Sequence, residues 1–182
     1  MKKILIFTTA VFLCFLSRAE DLRFSKLTSK EGLSQSEITT FLKDSKGFMW
    51  IGTLDGLNRF DGYNITKFNV NKKDANSLSN NTIRALAEDK YGRIWVGTDD
   101  GLNVLYPNNQ KFSSIKIPKL NSSFIIIYCL YIDNDHLWIG TDNGLFKAKI
   151  DSEDIQNIEE STAIPKENFL LTSQQLLSRV CP

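Results

Sequence analysis

An all-β chain of β-propeller blades, three four-stranded antiparallel units in a partial, open ring, is predicted by three observations. First, the eight-residue segment Trp-(Ile/Val)-Gly-Thr-x-(Asp/Asn)-Gly-Leu recurs at Trp50 to Leu57, Trp95 to Leu102 and Trp138 to Leu145. Second, the tryptophans stand 45 and then 43 residues apart, and a fixed period of ~20–50 residues marks a solenoid, a propeller or an array. Third, an Ile-x-x-(Phe/Leu)-x-x-Asp pattern precedes each Trp, at Ile38/Phe41/Asp44, Ile83/Leu86/Asp89 and Ile127/Leu130/Asp133. Strand pattern and period together exclude leucine-rich, tetratricopeptide and ankyrin arrays.

From the N-terminus, residues 1–19 read as a secretory signal: Lys2-Lys3, the apolar run Ile4 to Leu16, then Ser17-Arg18-Ala19, with cleavage expected after Ala19. The thirteen-residue run is shorter than the ~20 residues of a spanning helix, and Leu13 before Cys14 is too large for a lipoprotein signal. Residues 20–150 form the partial propeller, with blades at about 32–70, 77–117 and 122–150, and Leu22 to Leu27 has the composition of a ring-closing strand.

In each blade the Ile-x-x-(Phe/Leu) run is the first strand, too short for a helix and, at Ile125-Ile126-Ile127-Tyr128, β-branched and aromatic. A turn follows at Asp44-Ser45-Lys46-Gly47 and Asp89-Lys90-Tyr91-Gly92, where the carboxylate accepts backbone amides and the glycine supplies a positive φ. The third turn is shorter, at Asn134-Asp135. Second strands carry Trp50/Gly52, Trp95/Gly97 and Trp138/Gly140 on one face and Ile or Val on the other, the pattern of a strand covered on both sides. The glycines permit close approach, while the indoles fill the space between sheets.

Tight hairpins are expected at Asp55-Gly56, Asp100-Gly101 and Asn143-Gly144, with positive φ at both central positions. Third strands follow at Leu57 to Phe60, Leu102 to Tyr106 and Leu145 to Ile150, and fourth strands at Asn64 to Asn69 and Gln110 to Ile117. The hairpins should share one rim with the connectors Asn71 to Asn81 and Pro118 to Ser123. Residues 151–182 lose the register and form an irregular tail, a short amphipathic helix or the start of a fourth blade.

The formal charge is +1; removal of the signal leaves 19 basic against 21 acidic residues, a net of −2. No basic field argues for nucleic acid or anionic lipid. Cys129 and Cys181, which remain, do not make a disulfide framework. His136 is the single histidine and lacks a second ligand at metal spacing; no catalytic set, metal site or cofactor is indicated. The acidic pairs Asp99-Asp100 and Asp133/Asp135 fit turns better than a calcium loop.

Residues that vary between equivalent places are the candidates for ligand binding: Thr39, Arg84 and Tyr128 on the first strand, which borders a propeller's channel, and Leu54, Asp99 and Asp142 on the rim. Arg84 could serve a sugar or acidic ligand as a bidentate donor and Tyr128 as a stacking surface.

The stretch Gly32-Leu33-Ser34, Ile38, Asp44 to Gly47, Phe48 to Thr53 and Asp55-Gly56-Leu57-Asn58-Arg59-Phe60-Asp61-Gly62 closely resembles the first blade of a two-component regulator propeller, and the likeness covers roughly residues 24 to 150. That resemblance implies the N-terminal part of a periplasmic sensor, whose parent is anchored in the inner membrane, pairs as a homodimer and carries a histidine kinase. It further implies an oligosaccharide ligand and control of polysaccharide-utilisation genes. The alternatives are an exported propeller enzyme, a lyase or hydrolase, and a protein-interaction scaffold.

Overall fold

The computed structural model describes residues 25–106, 110–117, 124–150 and 158–160. The signal, half of the ring-closing segment (22–24), the connector 118–123 and the tail beyond 160 lie outside the described residues, and residues 25–27 are not in a strand.

Three four-stranded antiparallel sheets follow one another along the chain. The first holds β1 (Ile38–Lys43), β2 (Met49–Thr53), β3 (Gly56–Phe60) and β4 (Ile65–Phe68), the second β5 (Ile83–Glu88), β6 (Ile94–Thr98), β7 (Gly101–Leu105) and β8 (Phe112–Ile115). The third holds β9 (Ile127–Asp133), β10 (His136–Thr141), β11 (Gly144–Lys149) and β12 (Ile158–Glu160). This last strand corrects the boundary drawn at 150: β12 pairs with β11 through Phe146 opposite Glu160. Its three residues, Ile-Glu-Glu, follow a stretch without a turn glycine, so no local signal marked it.

The first sheet packs on one face of the second and the third on its other face, and the repeat explains how. An added Cβ on Gly52 would stand 2.7 Å from Cγ2 of Ile83 in the next sheet, and one on Gly97 2.5 Å from Cγ2 of Ile127 in the sheet after that. The Trp/Gly face of one blade is thus a notch, plugged by the first isoleucine of its successor. Trp50 and Trp95 are buried beside those notches, in cores shared between consecutive blades. An aromatic chain crosses the first interface: Phe68 stacks on Trp50 at 5.8 Å and meets Phe112 of the second sheet edge-on at 5.6 Å.

The turn aspartates do more than cap their turns. Asp44 accepts from the amides of Lys46 and Phe48 at 3.0 and 2.8 Å and from the Trp50 indole at 2.8 Å. Asp89 accepts likewise from Tyr91, Arg93 and the Trp95 indole, and its Oδ2 also holds Arg93 Nε at 2.6 Å. A buried indole N–H without an acceptor would cost ~1–3 kcal/mol, so the aspartate fixes the orientation of the repeat's largest side chain. Asp133 is exposed and bonds Asn134 instead.

The 2–3 hairpins differ from the expected form. Thr53 pairs with Gly56, which makes Leu54-Asp55 the two-residue loop. Positive φ occurs only at the glycine that follows, 108° at Gly56, 92° at Gly101 and 127° at Gly144. A turn followed by one left-handed glycine replaces the mirror-image turn. The cause is the preceding threonine: Thr53 Oγ1 donates to the Gly56 carbonyl at 2.9 Å and accepts from Asp55 N at 3.1 Å, and Thr98 and Thr141 repeat both bonds.

Thr53 also meets Ser34 Oγ at 2.9 Å, and Ser34 exchanges two 2.8 Å bonds with buried Asn58. Ser79, Thr98 and Asn103 repeat the arrangement in the second blade. The third blade has buried Phe146 at the asparagine position. Sequence reading missed this polar cluster, whose signal was the recurrent Leu-Ser 24 residues before each Asn.

Candidate functional site

In every blade the first strand begins with a break in register. Ile38 pairs with Thr53 and Thr40 with Gly52, which leaves Thr39 without a partner. The same break leaves Arg84 between Ile83 and Ala85, and Tyr128 between Ile127 and Cys129. All three variable residues therefore sit on β-bulges, where one extra residue bends the strand and re-aims a side chain away from the ladder. The isoleucine before each bulge heads the strand, while the residue after it lines the glycine notch: Thr40 Cγ2 stands 2.7 Å from where Gly52 would carry a Cβ.

The structure brings Arg84 and Asp99 together, and exposed Tyr128 occupies the equivalent bulge of the next blade. Arg84 donates from Nε to Asp99 Oδ1 at 2.6 Å and from Nη2 to Oδ2 at 3.1 Å. Asp99 raises the guanidinium above its ordinary basicity, chiefly through that hydrogen bond. The pair stays wet: the Arg84 side chain is 39% and that of Asp99 29% accessible. Tyr128 is exposed on the following blade.

Thr39 and Asp142 stand apart from this group. The Thr39 hydroxyl is buried without a partner, and Asp142 Oδ1 accepts from Ile126 N at 3.1 Å, a bond that holds the connector against the hairpin. Its equivalent Asp99 is freed for Arg84 because the bulge of the second blade carries the cation. The expectation for Arg84 needs one correction: its bidentate edge is already occupied by Asp99, so it is not a free fork for an incoming carboxylate. What remains are the Nη1 donors, the outer lone pairs of Asp99 and the phenol ring, a neutral set of donors, acceptors and an aromatic surface.

Hairpins and connectors meet on one rim, as Gly56 N donating to Asn81 O at 2.7 Å and Gly101 N to Ile125 O at 2.8 Å show. A groove of about 370 Å³ lies there, lined by Asp100, Gly101, Ile115, Lys116, Ile117 and Ile125. It does not include the Arg84 group. The opposite rim is tied from blade to blade: Ser45 donates through N and Oγ to Glu88 at 2.7 and 2.6 Å, and Lys90 pairs with Asp135. Among the described residues no three metal-ligating side chains converge, and no helix is long and apolar enough to cross a membrane.

The family model "Two component regulator propeller" matches residues 32–55, 77–100 and 119–143, one stretch in each blade. Histidine kinase P4 of Formosa agariphila is 41% identical over 56 residues, which are 31% of this chain and 4% of that protein. The extracellular domain of a Bacteroides thetaiotaomicron protein titled a hybrid two-component system is 27% identical with a TM-score of 0.61, over 81% of this chain and 18% of that one. A second such domain from the same organism shares the fold at 24% identity and a TM-score of 0.63, over 79% of this chain and 21% of that one. The chain thus spans about a fifth of the solved structures it resembles.

Proposed function

We propose that these residues, which match the two-component regulator propeller model once in each blade, are the N-terminal part of a periplasmic sensor domain of a hybrid two-component signalling protein. The chain enters the periplasm through its N-terminal signal, and its parent is a membrane-anchored histidine kinase, paired as a homodimer. The ligand is an oligosaccharide, and its binding switches polysaccharide-utilisation genes.

One observation carries the ligand class. Arg84 and Asp99 neutralise each other while keeping unused donors and acceptors, and the next blade exposes Tyr128 at the equivalent bulge. A sugar presents hydroxyls to such a pair and a C–H face to a ring, whereas an anion would have to displace Asp99. The reading therefore narrows to a neutral oligosaccharide. Calorimetric titration with neutral and uronate-containing oligosaccharides tests it. A neutral sugar should lose ~10–100-fold in affinity on Arg84→Ala, the weight of one or two charge-assisted bonds. Unchanged binding by Arg84→Ala and Tyr128→Ala would remove this site. New reducing ends after incubation with a polysaccharide would favour the exported lyase or hydrolase instead.

A further inference from the structure

Of the three arginines among the described residues, two are committed: Arg84 pairs with Asp99, and Arg93 with Asp89. Arg59, on β3, makes no ion pair or hydrogen bond among the described residues. Its guanidinium lies instead over the Phe48 ring at 4.9 Å and the Trp50 ring at 5.8 Å. Contact of this kind holds a cation by its faces. The in-plane N–H donors, the edge that meets an oxyanion two bonds at a time, stay unused. The second blade shows that the fold does not require the cation, because Val104 stands opposite Trp95 where Arg59 stands opposite Trp50.

Arg59 lines a cleft between the first and second sheets, on the rim that carries the β1–β2 turn and so opposite the hairpin of Asp99. Lys46 brings a second cation to it, with no ion pair among the described residues. Asp44 is the one carboxylate among the lining residues, and its oxygens are occupied by the amides of Lys46 and Phe48 and by the Trp50 indole. Buried Ile94 and Leu105 close the cleft from the second sheet, an apolar backing that strengthens a charge-assisted bond made beside it. Its free volume is about 40 Å³, more than the ~10–15 Å³ that one water needs and suited to a small headgroup.

We propose that this cleft binds an oxyanion group, a carboxylate or a sulfate, with Arg59 as the bidentate donor and Lys46 as the second cation. The site is separate from the Arg84–Asp99 pair, and the inference does not depend on the sugar reading.

Nuclear magnetic resonance of the 182-residue chain, titrated with sodium acetate and separately with sodium sulfate, tests it. Chloride keeps the ionic strength constant, so that general screening does not change. The Arg59 Nε–H and Trp50 indole N–H signals should shift and saturate at millimolar anion; acetate alone would mark a carboxylate site, sulfate alone a sulfate site, and both a shared one. Arg59→Gln should weaken binding ~10–100-fold, the weight of one or two charge-assisted bonds, and Lys46→Gln less. Arg59→Val places in the first blade what the second already accommodates, so folding should survive, checked by circular dichroism, while the saturable shift of the Trp50 indole is lost. Lys72→Gln removes the same charge from an exposed loop and should leave the affinity as it was. No saturation with either anion, binding undiminished in Arg59→Gln and Arg59→Val, or an equal loss in Lys72→Gln would each overturn the proposal.

Discussion

Gly97→Ala is the sharpest test of the notch. The new methyl would stand 2.5 Å from Cγ2 and 2.9 Å from Cβ of Ile127, with the Ala85 Cβ at 3.4 Å. Carbon atoms in contact prefer ~3.5–4.0 Å, so the second and third blades must part by roughly 1 Å or the strand must bend. Ile127 cannot swing aside, because β-branching leaves it one favoured χ1 and its Cβ is itself among the clashing atoms. Overpacking of this kind costs ~1–3 kcal/mol, and the stiff neighbour places this site at the upper end, about 3 kcal/mol, a large share of the ~5–15 kcal/mol that holds a domain. Urea unfolding followed by tryptophan fluorescence, at one protein concentration, measures it. Ile127→Ala alone should cost ~2–5 kcal/mol, but in the Gly97→Ala background less, since the 2.5 Å contact is gone. A coupling of ~1–3 kcal/mol is expected. Gly140→Ala, which meets only the tip of Cys129 at 2.6 Å, should be milder. Additive single costs, or Gly97→Ala as harmful as Gly140→Ala, would refute the reasoning.

Asp89→Ala should destabilise more than Asp44→Ala. Both remove an indole acceptor, but Asp89 is also the carboxylate paired with buried Arg93, whose Nη1 and Nη2 have no hydrogen-bond partner among the described residues and whose guanidinium otherwise meets only the Tyr91 and Trp95 rings there; stranding that cation costs ~3–5 kcal/mol against ~1–3 for the neutral case, and equal midpoints in urea would deny Arg93 its role. Acid should weaken the fold. Thr28 holds Glu31 below its ordinary 4.5, the amides of Asn64 and Tyr63 hold Asp61 below 3.8, and Lys90 holds Asp135 below 3.8. Each such carboxylate contributes fully above its unfolded value and loses its contribution as pH falls through the folded one. Melting temperature should be flat from neutral to about pH 5 and fall below about pH 4, with less of a fall in Asp135→Asn. Lys90, raised above 10.5 by Asp135, predicts the mirror loss in strong alkali.

The blade order, the notch glycines and the buried Trp50 and Trp95 were legible because they repeat, and a repeat in sequence is a repeat in packing. Features that depend on one residue's neighbours were not. Asp55-Gly56 looks like a mirror-image turn until Thr53 is seen to bind both of its ends. Asp44 and Trp50 stand on either side of a turn, and nothing in their spacing told that the carboxylate would reach the indole. The strand β12 carries no periodic apolar residue at all. For the candidate site, comparison of equivalent positions picked out Arg84, Asp99 and Tyr128, but the pairing of Arg84 with Asp99 joins the bulge of one strand to a hairpin of the same blade and has no spacing of its own.

The register break at the head of each first strand has a wider consequence. Thr39, Arg84 and Tyr128 neither take part in a ladder nor plug a notch, so the rules that hold the repeat together leave their identity unspecified. Each blade thereby owns one position whose identity the inter-strand ladder does not dictate. Recognition built on such sites can be rewritten one blade at a time, like the digits of a combination lock turning on a common spindle.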